Sequence, residues 1–375
     1  MHPKTLAIHA AYHPDPITGS LVPPIVNSTI FEHPAEPDQT RDFNYTRAGN
    51  PNRAQLETVL AVLEQGNGCA AFSSGVAATS AVFQALRPGD HIIAPLDVYH
   101  GTRHLIKNVY GNWGLEFDFA DFSDPDAVAS LIKPNTKLLW VETPSNPLLL
   151  VTSIAAITKI AKANNLLVCV DNTWMTPVLQ KPLELGADLV VHSTTKYLGG
   201  HSDLLGGAVI WKEDCEMAER VRDIQKSAGA VPSPFDCWML VRSVKTLPLR
   251  MTAHCENARI LANHLNEHPN VDVVHYPGLA ENAGHDIMTE EAADFGAMIS
   301  FQVKGDGAQA KKVTHASTII KASTSLGGVE STWEHRKTSE GPDSTTPDNL
   351  IRLSVGLEYS GDLIADLDTA LSAME

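Results

Sequence analysis

Ala187–Gly207 reads ADLVVHSTTKYLGGHSDLLGG. The apolar run Leu189–Val191 predicts a buried strand, which delivers Ser193, Thr194, Thr195 and then Lys196 at its C-terminal end. Gly199, Gly200, Gly206 and Gly207 follow, so the backbone there is free to turn tightly or approach another group closely. A lysine at the mouth of an α/β sheet, beside small hydroxyls, is placed for covalent attachment of a carbonyl group. By frequency alone the commoner case is a surface lysine after a strand, so the reading depends on partners elsewhere.

Two partners lie upstream. Leu166–Trp174, LLVCVDNTW, is a strand-type run ending in Asp171. A carboxylate at the end of a buried strand is costly unless a cation meets it, and a protonated pyridine nitrogen would do so. Cys69–Thr79, CAAFSSGVAAT, passes from a short apolar run through Ser73-Ser74-Gly75 into an Ala-rich helical start. Hydroxyls and a glycine at a helix N-terminus present free N–H groups to a phosphate. Each feature alone is an ordinary cap or turn. Together, in chain order, they supply an anion cradle, a pyridinium partner and a lysine, the set that pyridoxal 5'-phosphate (PLP) requires.

With these residues the chain resembles the Cys/Met-metabolism PLP enzymes: cystathionine γ-synthase, the cystathionine β- and γ-lyases, methionine γ-lyase and the O-acylhomoserine sulfhydrylases. The resemblance runs nearly end to end through Thr5–Phe31, Tyr45–Arg53 (YTRAGNPNR), Phe72–Thr79, Asp97–Thr102 (DVYHGT), Glu142–Pro147 (ETPSNP), Asp171–Trp174, His192–Gly207, Thr324–Ser331 (TSLGGVES) and Ile351–Glu358 (IRLSVGLE). It implies the α/β fold type I of PLP-dependent transferases, aspartate-aminotransferase-like. A large, mostly parallel sheet domain is then followed by a smaller C-terminal α/β domain.

The chain's 375 residues suffice for two domains. At 43% hydrophobic and 19% charged residues, the composition is that of a soluble globular protein. The formal charge of −16 argues against nucleic acid or an anionic membrane surface as partner. Five cysteines without a CxxC pair fit a reducing compartment. The start MHPKTLAIHAAYHPDP lacks the apolar run of a signal peptide, and no stretch is long enough to span a bilayer, so a cytoplasmic protein is expected.

Residues 1–45, rich in Pro, His and Thr with little helical periodicity, read as an extended arm lying across a neighbouring subunit. Arg53–Glu64 predicts a helix. Strand runs follow at Cys69–Phe72, His91–Ala94, Glu116–Phe119, Lys137–Val141, Leu166–Val170 and Leu189–Val191, with helical patterns such as Ile154–Asn164 between some of them. That alternation predicts a mostly parallel sheet covered on both faces. Ser227–Asp236, with two prolines and small residues, marks a joint, so residues 46–234 form the expected PLP-binding domain and 235–375 the small one. Beyond the joint, Cys237–His268 reads as helix interrupted near Pro248. Val271–Val274 and Ala297–Gln302 read as strands, and an amphipathic helix starts at Ser360.

The resemblance also implies roles. Tyr45 and Arg47 would reach across a dimer interface to the cofactor phosphate, a task suited to arginine's planar fork. Such a dimer completes the active site, and a homotetramer is expected. Tyr99 would stack on the pyridine ring and act as acid–base at the leaving group. The Gly75 and Val76 amides, with the Ser193 and Thr195 hydroxyls, would hold the phosphate. Asn146 and Thr173 would contact the ring oxygen, the substrate carboxylate or Asp171. Arg352 interrupts an apolar strand pattern, where a guanidinium is expensive unless a carboxylate meets it. It is the candidate grip for an amino-acid substrate's carboxylate, with an internal salt bridge as the alternative. Ser325 would position that carboxylate and Lys196.

Two positions bear on the reaction. Similar cystathionine γ-lyases carry acids before the Tyr of YTR and before the Ser of SLGG, where they meet a distal ammonium. Here Asn44 and Thr324 are neutral, which weighs against γ-elimination of cystathionine and, to a lesser degree, against recognition of free cysteine as the thiol donor; γ-replacement of the cystathionine γ-synthase type is the leading expectation. His100 stands where methionine γ-lyases have glycine, which disfavours that activity. A β- or γ-lyase, a sulfhydrylase and a catalytically silent binding protein on the same fold are the alternatives. Intact Lys196, Asp171, Tyr45, Arg47 and Arg352 oppose the last. His264–His268, HLNEH, matches an H-x-x-E-H zinc pattern, but Pro269 follows at once and no third ligand is identifiable, so no metal is expected. There is no P-loop and no GxGxxG.

Overall fold

The computed structural model describes residues 1–34, 42–341 and 344–374. The part of the expected arm at 35–41 lies outside the described residues.

Seven strands form the larger sheet: β1 (Gly68–Phe72), β2 (His91–Pro95), β3 (Glu116–Ala120), β4 (Thr136–Glu142), β5 (Leu167–Asp171), β6 (Leu189–His192) and β7 (Gly207–Trp211), in the order β1-β7-β6-β5-β4-β2-β3. β3, β2, β4, β5 and β6 run parallel, while β7 pairs antiparallel with both β6 and β1. Leu138–Val141 of β4, Val168–Val170 of β5 and Leu189–Val191 of β6 are buried, as strands covered on both faces must be. β7 is a strand the sequence reading missed, because its first residue belongs to the glycine-rich stretch. Gly207 is required there by close approach: a Cβ on it would lie 2.2 Å from the Ser74 carbonyl oxygen.

The smaller sheet contains β8 (Val271–His275), β9 (Met298–Val303), β10 (Lys321–Ala322), β11 (Thr332–His335) and β12 (Leu350–Ser354), ordered β10-β11-β12-β9-β8. Only the β10–β11 pair is parallel. The predicted helix break is real. Pro234–Val244 ends before Leu247–Glu267 begins, with Pro248 in the first turn, where a missing N–H costs nothing. Pro234–Val244 packs on Pro51–Glu64, and one core continues from the larger sheet into the smaller, through Val170, Tyr197, Met251, Phe301 and Leu353.

The expected non-helical arm is corrected at its start. Pro3–His9 is a helix with Pro at its first turn and Ala7 buried against the body. Further on, the arm is extended and fastened to its own chain. Asn52 Oδ1 accepts from Val26 N, Asn52 Nδ2 donates to Pro24 O, and Trp238 Nε1 donates to Pro23 O. Ile17, Leu21, Val22 and Ile30 remain exposed along it.

The two histidines of HLNEH meet a carboxylate. His264 Nε2 lies 2.6 Å and His268 Nε2 3.7 Å from Asp368 Oδ1, which comes from the helix Ser360–Ser372. Among the described residues, no group of three His, Cys, Asp or Glu side chains could hold a metal. No helix among them is long and apolar enough to cross a membrane.

Candidate active site

The C-terminal ends of β4, β5 and β6 open into a cavity of about 300 Å³, where the crevice of an open α/β sheet is expected. Lys196, three residues past Ser193, projects a side chain whose Nζ donates to Ser325 Oγ at 2.5 Å. Burial, and the positive charge of Arg352, push this amine down to about 8, against the opposing pull of Glu334 and Asp171. Asp171 ends β5 and lines the same cavity; burial pushes its carboxyl up, while Thr173, donating its backbone N–H to Oδ1 at 3.0 Å, His192 and Lys196 pull it down. Thr173 Oγ1 accepts from Ser193 N at 2.8 Å and so ties β5's exit to β6's.

The cradle opposite is built on the helix Gly75–Gln84. Ser74 caps it, its hydroxyl accepting from Ala77 N. Gly75 meets Ser193 so closely that an added Cβ would stand 2.6 Å from the serine's Cβ. Ser74, Gly75, Val76, Ser193 and Thr195 all line the cavity. Thr195 Oγ1 in addition accepts from Gly206 N at 3.0 Å, which closes the glycine-rich turn over it.

On the other side lies Arg352, in the middle of β12 and almost fully buried. Its Nη1 donates to Asn146 Oδ1 at 3.0 Å and its Nη2 to Ser325 O at 3.0 Å and Glu334 Oε2 at 2.8 Å. Burial and neighbouring Arg336 push this guanidinium down to about 10. The internal salt bridge posed as an alternative is therefore present, and it coexists with a place on the cavity wall. Ser325 adopts φ +79, a left-handed conformation costly for a serine, which turns its hydroxyl to Lys196 and its carbonyl to Arg352. Tyr99 donates its backbone N–H to Glu142 Oε2 at 3.0 Å and, with Thr324, lines the cavity.

Of the expected residues, the chain thus brings together Gly75, Val76, Tyr99, Asn146, Asp171, Thr173, Ser193, Thr195, Lys196, Thr324, Ser325 and Arg352. Asn44, Tyr45 and Arg47 are not on this wall. Arg47 Nη1 donates to Lys226 O at 2.6 Å, its guanidinium lies 5.5 Å from the Tyr45 ring, and Tyr45 is 42% exposed. The sequence reading missed Glu142, Glu334, Arg336 and Glu340. Glu142 stands in the quoted ETPSNP but was given no task. It pairs in register with Asp171, and burial together with that second carboxylate pushes its carboxyl well above the ordinary range. Glu334 sits in a strand too polar to be recognised as one.

The donor set fits pyridoxal phosphate. A capped helix N-terminus, a glycine excluded from bearing a Cβ and two hydroxyls suit a phosphate dianion. A carboxylate that burial disfavours suits a protonated ring nitrogen, and an amine at about 8 suits an aldehyde.

Known proteins give the same answer. Over 375 aligned residues the chain is 45% identical to the cystathionine gamma-synthase of Mycobacterium tuberculosis (strain ATCC 25618 / H37Rv), covering 98% of this chain and 96% of that protein. It is 42% identical to the cystathionine beta-lyase of Coxiella burnetii, covering 99% and 98%. The crystal structure of cystathionine gamma synthase from Xanthomonas oryzae pv. oryzae in complex with cystathionine superposes with a TM-score of 0.96 at 37% identity, covering 100% of this chain and 98% of that one. A family model spans residues 4–372, and the chain belongs to the Cys/Met metabolism PLP-dependent enzymes.

Proposed function

We propose that this PLP-dependent transsulfuration enzyme catalyses γ-replacement: a thiol displaces the γ-acyloxy group of an O-acylhomoserine, as in a cystathionine γ-synthase. The observation that carries the reading is the near-complete alignment with the M. tuberculosis synthase at 45% identity. Neutral Asn44 and Thr324 count against a γ-lyase.

Pyridoxal phosphate, when bound, supplies an electron sink for negative charge developing beside the substrate's amine. The chain supplies the rest. Arg352 receives the substrate's α-carboxylate, with Asn146 and Ser325 fixing the fork. Lys196, already poised near 8, takes the Cα proton as a general base and carries it onward. Asp171 would supply the counter-charge to a protonated ring nitrogen, and the amides of Gly75 and Val76 with the Ser193 and Thr195 hydroxyls would hold the phosphate. Tyr99 presents its hydroxyl where the leaving group departs. We assign residues 46–234 to the cofactor-holding domain, 235–375 to the domain that carries the carboxylate grip, and 1–45 to an arm that lies on a second subunit. Tyr45, Arg47 and Asn44 then serve the partner's cavity, which makes a dimer the smallest active unit, with a tetramer as the expected assembly.

The alignment with the C. burnetii β-lyase favours a second reading, cleavage of cystathionine to a 2-oxo acid. Incubation with O-acetylhomoserine, O-succinylhomoserine or cystathionine, each with and without cysteine or sulfide, separates the two by mass spectrometry. Cystathionine formed from an O-acylhomoserine and cysteine supports γ-replacement. Turnover of cystathionine alone, yielding pyruvate or 2-oxobutyrate, overturns it.

A further inference from the structure

The cavity holds more ionised groups than a carboxylate grip and a lysine require. Arg336 and Glu340, at the two ends of the short helix Arg336–Glu340, both line it. Arg336 Nη1 donates to Glu334 Oε2 at 2.8 Å and Nη2 to Glu340 Oε1 at 2.7 Å. Its Nε is buried without an acceptor. Glu340 Oε2 accepts from Ser344 Oγ at 2.5 Å and Thr346 Oγ1 at 2.6 Å. A carboxylate offers about four acceptor positions, and donors among the described residues fill three on Glu340, so one remains open there. Burial opposes its charge, but the two hydroxyls and the guanidinium outweigh burial and hold its carboxyl below the ordinary range, so it is anionic at neutral pH.

Glu340 also lines a second cavity of about 410 Å³, which shares His100 and Asn146 with the first. Arg103, His104 and Lys107 stand in the wall of this second space. A ligand extending from Lys196 into it meets Glu340, whose carboxylate keeps an open acceptor and is held ionised, and then Arg103, His104 and Lys107, beside Asp97, whose carboxyl burial pushes up. That sequence of charges is complementary to an ammonium and a carboxylate on one carbon.

We infer that Glu340 is a specificity-determining residue that takes the ammonium of a second amino-acid head, remote from Lys196. The inference deepens the proposed reaction and rests on it in one respect: the ligand is a thioether with an amino acid at each end. Lys196 and Arg352, joined through Ser325, serve the reacting head. Glu340 serves the other, and Arg336 is its positioning residue, fixing one carboxylate oxygen while Ser344 and Thr346 fix the other.

The test is a ligand-by-variant cycle on the holoenzyme. Wild type and Glu340→Gln are titrated with L-cystathionine and with S-(2-carboxyethyl)-L-homocysteine, which keeps the reacting head and the distal carboxylate but lacks the distal amine. The half-point of the change in the cofactor's visible band is read for each. Wild type is expected to favour cystathionine at least ~10-fold, the scale of a lost charge-assisted contact. Glu340→Gln should bring the ratio near one by weakening cystathionine, with the amine-free ligand moving less than about 3-fold. Glu340→Asp, which keeps the charge, should retain most of the preference. Equal weakening of both ligands, a preference unchanged in Glu340→Gln, or no preference in wild type would each overturn the assignment. Because the band reports recognition whichever bond later breaks, failure of the γ-replacement reading shows separately, as absence of cystathionine among the products.

Discussion

Lys196 should behave as an amine that is substantially neutral at physiological pH, and this can be measured before any substrate is added. A lysine at its ordinary 10.5 is neutral in only about 0.03% of molecules at pH 7, whereas one at about 8 is neutral in roughly a tenth. The burial that strips water from the ammonium, helped by Arg352, therefore raises the reactive fraction some ~300-fold. Apoenzyme mixed with pyridoxal phosphate should turn yellow at a rate that follows this fraction. After division by the rate for N-acetyl-lysine methylamide under the same conditions, which removes the aldehyde's own titrations, the advantage should be largest below pH 8 and shrink about tenfold per unit above it. Arg352→Gln removes the second-largest cause of the shift and leaves Glu334 and Asp171 facing the amine, so the inflection should move upward. It should stop short of 10.5, because burial, the largest cause, persists. A rate that parallels the free lysine derivative from pH 6 to 10 would refute the reasoning, as would an inflection that falls in Arg352→Gln.

Three further outcomes follow from the same geometry. Asp171→Asn should weaken retention of the cofactor about 10- to 100-fold, the value of one charge-assisted hydrogen bond at ~1.5–3 kcal/mol, measured by equilibrium dialysis of the holoenzyme. Glu64→Gln should lower the denaturant midpoint, since Glu64 Oε1 accepts from Asn172 Nδ2 at 2.9 Å and lies 2.5 Å from His192 Nε2 with all three side chains buried, and a hydrogen bond to a charged group is worth about 1.5–3 kcal/mol. Arg47→Ala and Lys196→Ala, each inactive alone, should regain about one quarter of wild-type activity when unfolded and refolded together, because only a hybrid dimer contains one site with both residues; no recovery would mean that Arg47 serves its own subunit.

Within the two sheets, what the sequence disclosed and what it hid have one physical cause. In the larger sheet, Leu138–Val141, Val168–Val170 and Leu189–Val191 are buried on both faces, and only unbroken apolar runs can occupy such strands, so their ends could be located to within a residue or two. Asp171 and Lys196 became conspicuous because each terminates or follows such a run. Arg352 was visible for the same reason, with Ile351 and Leu353 on either side. β11 offers no such contrast. Of its residues only Trp333 is apolar, yet Trp333, Glu334 and His335 are all buried, the charges being admitted because Glu334 meets Arg336 and Arg352 at 2.8 Å each. A buried charge that is neutralised by another part of the chain looks, in a linear reading, like a loop. The arrangement that concealed the strand is the one that furnishes the cavity with Arg336 and Glu340 and pairs Glu334 with Arg352. Asn44, Tyr45 and Arg47 were hidden by a different rule. None of the three lines the cavity of its own chain, so only resemblance could point to them, and the proposed second subunit is what would bring them there. The local pattern thus marks residues whose function is to close a buried strand, and it is silent about those whose partners are distant in the chain or belong to another copy of it.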